Sequence, residues 1–225
     1  MNQFRLILAS ESPRRKEIIR GLGWEFEAVS PGIEEEAVDG ESPRDMAARL
    51  SWLKAASASR KIQGACVIGA DTVVDVDGTS MSKPRDRGDS VRMLRMLAGR
   101  VHLVHTGVAL AVSGDVVSSC VETTKVTFGE LSEDEILSFA ASGDGDDKAG
   151  AYAIQGRGAL LVEKIDGCWH NVVGLPVFRL KRMLDGFAKD FNVSSPPWTT
   201  GVGAKNTGSM PEGQYIEGGG SYAAT

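Results

Sequence analysis

The start of the fold is decided at residues 5–15, which read Arg5-Leu6-Ile7-Leu8-Ala9-Ser10-Glu11-Ser12-Pro13-Arg14-Arg15. The apolar run predicts a strand from Arg5 to Ala9, and a capping Ser12 followed by Pro13 predicts a helix to Leu22. Both arginines then lie at the helix N-terminus, where the dipole disfavours each cation by about 0.3–1 kcal/mol. This placement suggests an anion site, since a phosphate would accept from the arginines and the free backbone N–H groups. The alternative is that both side chains point into solvent.

Outward from this stretch, short apolar runs alternate with amphipathic segments, which is the pattern of an α/β protein. We expect a further strand at Glu25–Val29 and helices at Pro43–Ser59, from about Asp89 to Leu97, and from Pro176 to about Ala188. Ser132 and Glu135 have the spacing of a capping box, which predicts another helix that ends near Gly143.

Two hairpins are expected in the second half of the chain. The β-rich runs Val101–Val112 and Val116–Phe128 are joined by Ser113-Gly114-Asp115, which predicts an antiparallel pair. A second hairpin is expected through Asp166-Gly167, with a strand from Ala159 to Ile165 before it and His170 on the strand after it. The predicted fold class is therefore α/β, with a mixed twisted sheet and flanking helices.

A polar pair interrupts one of the apolar runs. Val67–Ala70 and Val73–Val76 have the pattern of buried strands on either side of Asp71-Thr72, so we expect Asp71 at a strand end or break. A carboxylate between two apolar segments is costly to desolvate unless it is paired, hydrogen-bonded or bound to a metal. Asp71 is therefore a candidate functional residue.

Composition narrows the function classes. With 225 residues and 42% hydrophobic content, the chain can bury one core or two closely joined lobes. The 25 Lys and Arg residues against 30 Asp and Glu give a net charge of −5, which argues against nucleic-acid binding. Walker and Gly-x-Gly-x-x-Gly loops are absent from the sequence, and no Ser/His/Asp or Cys/His arrangement can be argued.

Cysteine usage and hydropathy bear on location. The three cysteines are far apart and lack a metal-ligand spacing, which favours reduced thiols and a cytoplasmic protein. No apolar run approaches the roughly 18 residues that span a bilayer, so we expect no membrane association. Residues 1–192 are expected to form the folded domain. The glycine-rich residues 193–225 are expected to be disordered. Trp198 and Tyr215 are expected to have no fixed place there, the alternative being transient docking on the body of the protein or on a partner.

Further candidate residues lie in polar clusters and in one small-residue loop. Glu34-Glu35-Glu36, Lys54 and Lys83-Pro84-Arg85 could all contribute to a site, although surface charge is the ordinary explanation of each. Residues 147–156 combine small residues with Gln155, whose amide can both donate and accept, as reading a base edge requires. The alternative for Gln155 is a residue that caps backbone in a tight turn.

Five separated motifs in this order resemble those of the Maf family, from about Arg5 to Ala188. They are Ser10–Arg15, Gly69–Val74, Lys83–Arg85, Asp147–Gln155 and Asn171–Pro176. The resemblance implies a nucleoside triphosphate pyrophosphatase that cuts between the α and β phosphates. It also implies two lobes around a cleft, similar to the inosine triphosphatases. The sequences Asp71-Thr72-Val73-Val74 and Ile154-Gln155-Gly156 resemble the branch that acts on dTTP and UTP.

The resemblance also implies roles for individual residues. Asp71 would be the proton acceptor, and Arg14 or Arg15, Thr72 and Gln155 would shape the choice of base. The residues Glu35, Lys54 and Lys83 match positions that line the family's cleft, and Ser10 belongs to the first of its motifs. The chain departs from the family pattern at Ala153, at Ser82, in the Gly143–Asp146 run and after Asn192, and none of these changes removes a candidate catalytic group.

Phosphate chemistry adds a cofactor to this list. Glu35 and Asp71 offer hard oxygen ligands of the kind that Mg²⁺ or Mn²⁺ prefers, and the arginines and lysines can bind phosphate oxygens. Family members are often dimers, so a homodimer is possible. The alternative function is a non-catalytic nucleotide-binding regulator of cell division, because the family was first connected with septum formation.

Overall fold

A mixed sheet of seven strands organises the described chain, which comprises residues 5–36, 38–193, 196 and 198 of the computed structural model. The strands are β1 (Arg5–Ala9), β2 (Glu27–Val29), β3 (Ala65–Val76), β4 (Thr79–Met81), β5 (Val101–Val112), β6 (Asp115–Phe128) and β7 (Val162–Asp166). Their order is β2-β1-β3-β5-β6-β7, with β4 also paired to β3. β1 is parallel to β2 and β3, and every other pairing is antiparallel. The predicted mixed sheet is confirmed.

Six α-helices accompany the sheet within the described residues. They are α1 (Pro13–Gly21), α2 (Pro43–Ser59), α3 (Arg87–Leu97), α4 (Glu133–Ser142), α5 (Trp169–Val173) and α6 (Val177–Asp190). The predicted caps are present: the Ser12 hydroxyl accepts from Arg15 N, and Ser132 and Glu135 form the capping box. None of these helices has both the length and the apolar character needed to cross a bilayer.

The interruption predicted at Asp71-Thr72 is wrong for β3 itself, which runs through both residues without a break. The discontinuity lies in the neighbouring strands instead. β1 pairs with β3 as far as Gly69, and β4 pairs with it only from Val74 onwards. Between these two partners, residues 70–73 pair with β5 alone among the described strands. The sheet therefore has a gap on that side of β3, and the polar pair lies within the gap.

The same gap separates two hydrophobic clusters on one face of the sheet. Cys66, Ile68 and Ala70 of β3 pack with α1 and α6, whereas Val74 and Val76 pack with α3 and α4. Thr72 lies between the two sets, and it pairs in register with Thr106 of β5. Thr106 in turn separates Val104 in the second cluster from Val108 in the first. Two apolar lobes thus share the long central strands and meet at a polar junction.

Helix α2 lies close against the opposite face of these strands. A Cβ atom on Gly69 would approach Ser51 O to 2.3 Å, and one on Gly107 would approach Ala47 O to 2.1 Å. Side chains at these two positions would therefore force the helix away from the sheet. The close approach places Lys54 of α2 over Asp71 of β3.

Three further expectations are corrected. The second hairpin through Asp166-Gly167 is wrong, because the following segment forms α5 and His170 lies in that helix. The strand before it begins at Val162 and not at Ala159, since Gly156–Leu161 forms a 3₁₀ helix. Trp198 does have a fixed place: it is fully buried, with its ring centroid 6.1 Å from that of Phe187. Most of residues 193–225, Tyr215 included, lies outside the described residues, so disorder there stays a prediction.

Candidate active site

A pocket of about 780 Å³ opens at the gap beside β3. Its wall is formed by the β1–α1 turn, α2, the middle of β3, the segment after β4 and the loop of residues 147–155. Nine candidate residues named from the sequence contribute to its lining: Ser10, Arg14, Arg15, Glu35, Lys54, Asp71, Thr72, Lys83 and Gln155. Glu34, Glu36, Pro84 and Arg85, which belong to the same charged clusters, do not line it. The structure therefore brings together residues as far apart in the chain as Ser10 and Gln155.

The α2 side of the pocket holds a lysine between two carboxylates. Lys54 Nζ lies 2.6 Å from Asp71 Oδ1 and 2.6 Å from Glu35 Oε1. Burial raises the pKa of Asp71, and the positive charges of Lys54 and Arg15 offset this only in part. For the more exposed Glu35, desolvation also acts to raise the pKa, but the hydrogen bond and charge of Lys54 outweigh it, so the pKa is lowered. The pKa values of the two carboxylates are thus shifted in opposite directions, upwards for Asp71 and downwards for Glu35.

On the opposite face of β3, protein groups hold the guanidinium of Arg15. Its Nε donates to Gly174 O at 2.8 Å, Nη1 to Ser10 Oγ at 3.3 Å and Nη2 to Thr72 Oγ1 at 2.9 Å. These contacts use three of the five N–H groups of an arginine, and the other two have no hydrogen-bond partner among the described residues. The alternative in which Arg15 points into solvent is wrong, because the side chain is buried. Arg14 is half-buried and lies near Asp147.

The hydroxyl of Thr72 continues into a chain of buried polar groups. Thr72 Oγ1 lies 2.9 Å from Thr106 Oγ1, and Thr106 Oγ1 donates to Asn171 O at 2.9 Å. The sequence reasoning missed Thr106. A signal for it exists, because Thr106 is a polar residue in an otherwise apolar alternation between Val104 and Val108.

The loop of residues 147–155 is anchored from behind. Tyr152 Oη lies 2.7 Å from His102 Nε2, and Gly150 N donates to Ser82 O at 3.1 Å. Ser82 directly precedes Lys83, so this backbone bond links the loop to the segment that carries the lysine. Gln155 is exposed at the pocket. The loop that carries the Gln155 side-chain amide is therefore held in place.

The carboxylate pair fits a divalent cation of the Mg²⁺ type. Mg²⁺ usually takes one or two carboxylates and completes its shell with water and phosphate oxygens. Glu35 and Asp71 supply two such groups on either side of one cationic position, now filled by the Lys54 ammonium. The described residues contain no group of three or more His, Cys, Asp or Glu side chains able to hold a metal alone. The donor set thus suits a cation shared with a phosphorylated ligand.

The fold and this pocket define a class: α/β proteins with a cleft in which arginine and lysine side chains lie beside a carboxylate pair. The chain belongs to the Maf family, because the family model described as Maf-like protein matches residues 5–187.

Relatives with assigned names cover most of the chain. A protein of Symbiobacterium thermophilum named dTTP/UTP pyrophosphatase is 47% identical over 81% of this chain and 93% of its own length. A protein of Dictyoglomus thermophilum with the same name is 45% identical over 80% of this chain and 94% of its own.

Among solved structures, a HAM1 protein from Coxiella burnetii is similar with a TM-score of 0.42 and 12% identity. The similarity covers 57% of this chain and 75% of that one. A nucleoside-triphosphatase / dITP/XTP pyrophosphatase from Mycobacterium abscessus has a TM-score of 0.36 and 19% identity, over 57% and 74% of the two chains. The inosine-triphosphatase-like arrangement expected above stays a prediction.

Proposed function

We propose that this chain is a nucleoside triphosphate pyrophosphatase that hydrolyses dTTP and UTP to the monophosphate and pyrophosphate. The family match and relatives of that name at 43–47% identity over most of the chain support this activity and this substrate class. The observation that carries it in the structure is the pocket beside β3, which a buried carboxylate of raised pKa and a fixed arginine both line from opposite faces of the strand.

Positive side chains along the pocket would bind the triphosphate. Arg15 has two N–H groups left for phosphate oxygens, and Lys54 has one N–H beyond those that contact Asp71 and Glu35. Arg14 and the exposed Lys83 add charge at the rim. Charge-assisted hydrogen bonds of this kind contribute about 1.5–3 kcal/mol each.

Asp71 is the proposed catalytic base. A water molecule attacks the α phosphorus, the bond to the bridging oxygen of the β phosphate breaks, and pyrophosphate leaves. Asp71 accepts the proton that the water loses, which its raised pKa favours. Among the described strands, none pairs with Asp71 on the β1 and β4 side of β3, so the reacting phosphate would approach its carboxylate through the gap.

Glu35 and Asp71 would hold a divalent cation, Mg²⁺ or Mn²⁺. When bound, this ion would neutralise the negative charge that develops on the leaving pyrophosphate and would lower the pKa of nearby water. Lys54 occupies the position between the two carboxylates, so its ammonium must move or share that position as the ion and phosphate enter. The side chain can follow the phosphate because its stem is flexible and its charge is a point charge.

The amide of Gln155 would read the edge of the pyrimidine base. It is exposed at the end of the anchored loop, and its two donors and its acceptor oxygen can form bonds of either direction. Thr72 and the arginines would limit the room beside the base. Residues 1–192 as the catalytic domain, a cytoplasmic location, a homodimer and the absence of nucleic-acid or membrane partners belong to the same proposal.

Pyrophosphate release tests this function. The purified chain is incubated with dTTP, UTP, CTP, dATP and dGTP, with and without added Mg²⁺ or Mn²⁺, and pyrophosphate and monophosphate are measured. We expect equal amounts of both products from dTTP and UTP, dependent on the added ion. Tight nucleotide binding without either product would favour the non-catalytic regulator instead.

A further inference from the structure

We propose that Thr106, which does not line the pocket, is a positioning residue for nucleotide hydrolysis that acts through Thr72 on Arg15. Thr106 is fully buried on β5, in register with Thr72 on β3. Its hydroxyl lies at the polar junction between the two apolar lobes. The inference rests on the proposed hydrolase function, which supplies the activity it would affect.

The direction of every hydrogen bond in this chain of groups is fixed by its two ends. The guanidinium of Arg15 can only donate, so Arg15 Nη2 donates to Thr72 Oγ1. The backbone carbonyl of Asn171 can only accept, so the hydroxyl of Thr106 donates its one hydrogen to that carbonyl. The bond of 2.9 Å between the hydroxyls must then run from Thr72 to Thr106.

A consequence follows for Thr72. Its hydrogen is committed to Thr106, and one of its two lone pairs accepts from Arg15. Towards a ligand, Thr72 therefore keeps one lone pair and no donor. A phosphate oxygen, which only accepts, cannot bind to this hydroxyl. Thr72 thus contributes to phosphate binding by holding Arg15, and its own free lone pair suits an N–H group such as that of thymine or uracil.

The network also ties the two lobes together around Arg15. The Asn171 carbonyl belongs to α5, and Gly174 just after α5 accepts from Arg15 Nε at 2.8 Å. The side chain of Asn171 donates to Val104 O and to Thr124 Oγ1, which fixes α5 on β5 and β6. Arg15 is thus held at two points by groups that are themselves fixed. Loss of the Thr106 hydroxyl would leave Thr72 O–H without its acceptor and free it to turn away from Arg15.

The test compares Thr106→Val, which keeps the shape and removes the hydroxyl, with Thr106→Ser, which keeps the hydroxyl. We expect Thr106→Val to lower kcat/KM for dTTP by about tenfold, mostly in kcat, as loss of one hydrogen bond to a charged group would. Thr106→Ser should stay within about threefold of the parent. Thr123→Val is a matched control, because it removes a hydroxyl bond to His105 on a neighbouring strand outside the pocket.

A double-mutant cycle distinguishes positioning from a purely structural role. Arg15→Lys removes the guanidinium that forms the three hydrogen bonds described above. Adding Thr106→Val to that variant should therefore lower kcat/KM by less than about twofold. Independent, multiplying losses would overturn the proposal, and so would a folded Thr106→Val variant with the parent's kcat/KM. If Thr106→Val fails to fold, a loss of about tenfold in kcat/KM in the Thr106→Ser variant would overturn the proposal. A parent chain that releases no pyrophosphate would contradict the proposed function and this inference with it, whereas an active parent with independent losses would overturn this inference alone.

Discussion

Adjacent residues of β3 form two contrasting regions of the pocket. Asp71 points to the α2 side, where its neighbours are the charged groups of Lys54 and Glu35. Thr72 points to the opposite face, where the network consists of hydroxyls, backbone carbonyls and one guanidinium. The alternation of a single strand is enough to separate them. One face holds groups whose charge can change or move during a reaction, and the other holds groups whose geometry is fixed.

This difference explains why the two faces should respond differently to substitution. In the proposed mechanism, charges on the Asp71 face would act directly on water, metal and phosphate, so their loss should affect the chemical step strongly. Hydroxyls on the Thr72 face act through the position of Arg15, so their loss should give moderate effects that depend on Arg15. The following substitutions test that contrast.

The largest effect is expected for Asp71→Asn, which keeps the volume of the side chain and removes its charge and basicity. The kcat should fall by roughly 10²–10⁴-fold, the range for loss of a general base. Asp75→Asn is the matched control, because Asp75 is also buried on the same face of β3 but contacts His105 and lies outside the pocket lining. Comparable activity of the Asp71→Asn variant and the parent would remove the base assignment.

A smaller loss of activity is expected for Lys54→Met, together with a gain in affinity for Mn²⁺. The kcat/KM should fall by about tenfold or more because one phosphate contact is lost. In the absence of nucleotide, Mn²⁺ should bind several-fold more tightly, since the ammonium no longer neutralises Asp71 and Glu35. Titration calorimetry with Mn²⁺ measures this. Unchanged or weaker Mn²⁺ binding would show that the lysine does not occupy the cation position, and the exposed Lys61→Met serves as control.

Gln155→Glu should change base preference more than hydrolysis. The carboxylate cannot donate as the amide does, so the ratio of kcat/KM for dTTP to that for CTP should shift by about tenfold. The kcat on the best nucleotide should change by less than about threefold. Assays on dTTP, UTP and CTP decide this, and an equal loss on all three would argue against a reading role.

The smallest effect on activity is expected from His102, which anchors the loop of residues 147–155 through Tyr152 and should mainly affect stability. Burial lowers the pKa of His102 to about 4 from an ordinary value of 6.5. As the pH falls, His102 is protonated in the unfolded chain before it is protonated in the folded chain. The stability present above pH 6.5 is therefore lost as the pH falls towards about 4. The free energy of unfolding should fall by up to about 1.4 kcal/mol per pH unit in this window. Urea unfolding at several pH values measures this, and the same slope in a His102→Gln variant would contradict it.

Local signals predicted much of the fold. The bounds of α2 were predicted at Pro43–Ser59 because a capping serine and a proline fix the start of the helix, and these are local. The long hairpin was predicted because its turn residues and β-rich runs are contiguous. The short α5 after Asp166-Gly167 was missed, since its structure depends on contacts of Asn171 with β5 and β6.

The candidate site shows the same division. Charged and amide residues were found because a polar residue among apolar ones is visible in the sequence, and the family resemblance supported them. Thr106 is also a polar residue among apolar ones, but its role was missed because that role depends on its register with Thr72 across the strands, which no local pattern encodes. The break predicted at Asp71-Thr72 was wrong for a related reason. A sequence pattern records the residues of a strand but not where its neighbours begin and end.

The sequence by itself determined the α/β class, most helix and strand bounds and the chemical groups available for binding phosphate. Those properties depend on residue types and on spacing along the chain. Only the tertiary structure decided that Asp71 faces Lys54 while Thr72 faces Arg15, and that the gap between β1 and β4 opens the pocket there. These features require strand pairing and close helix packing, which bring distant residues within hydrogen-bond distance.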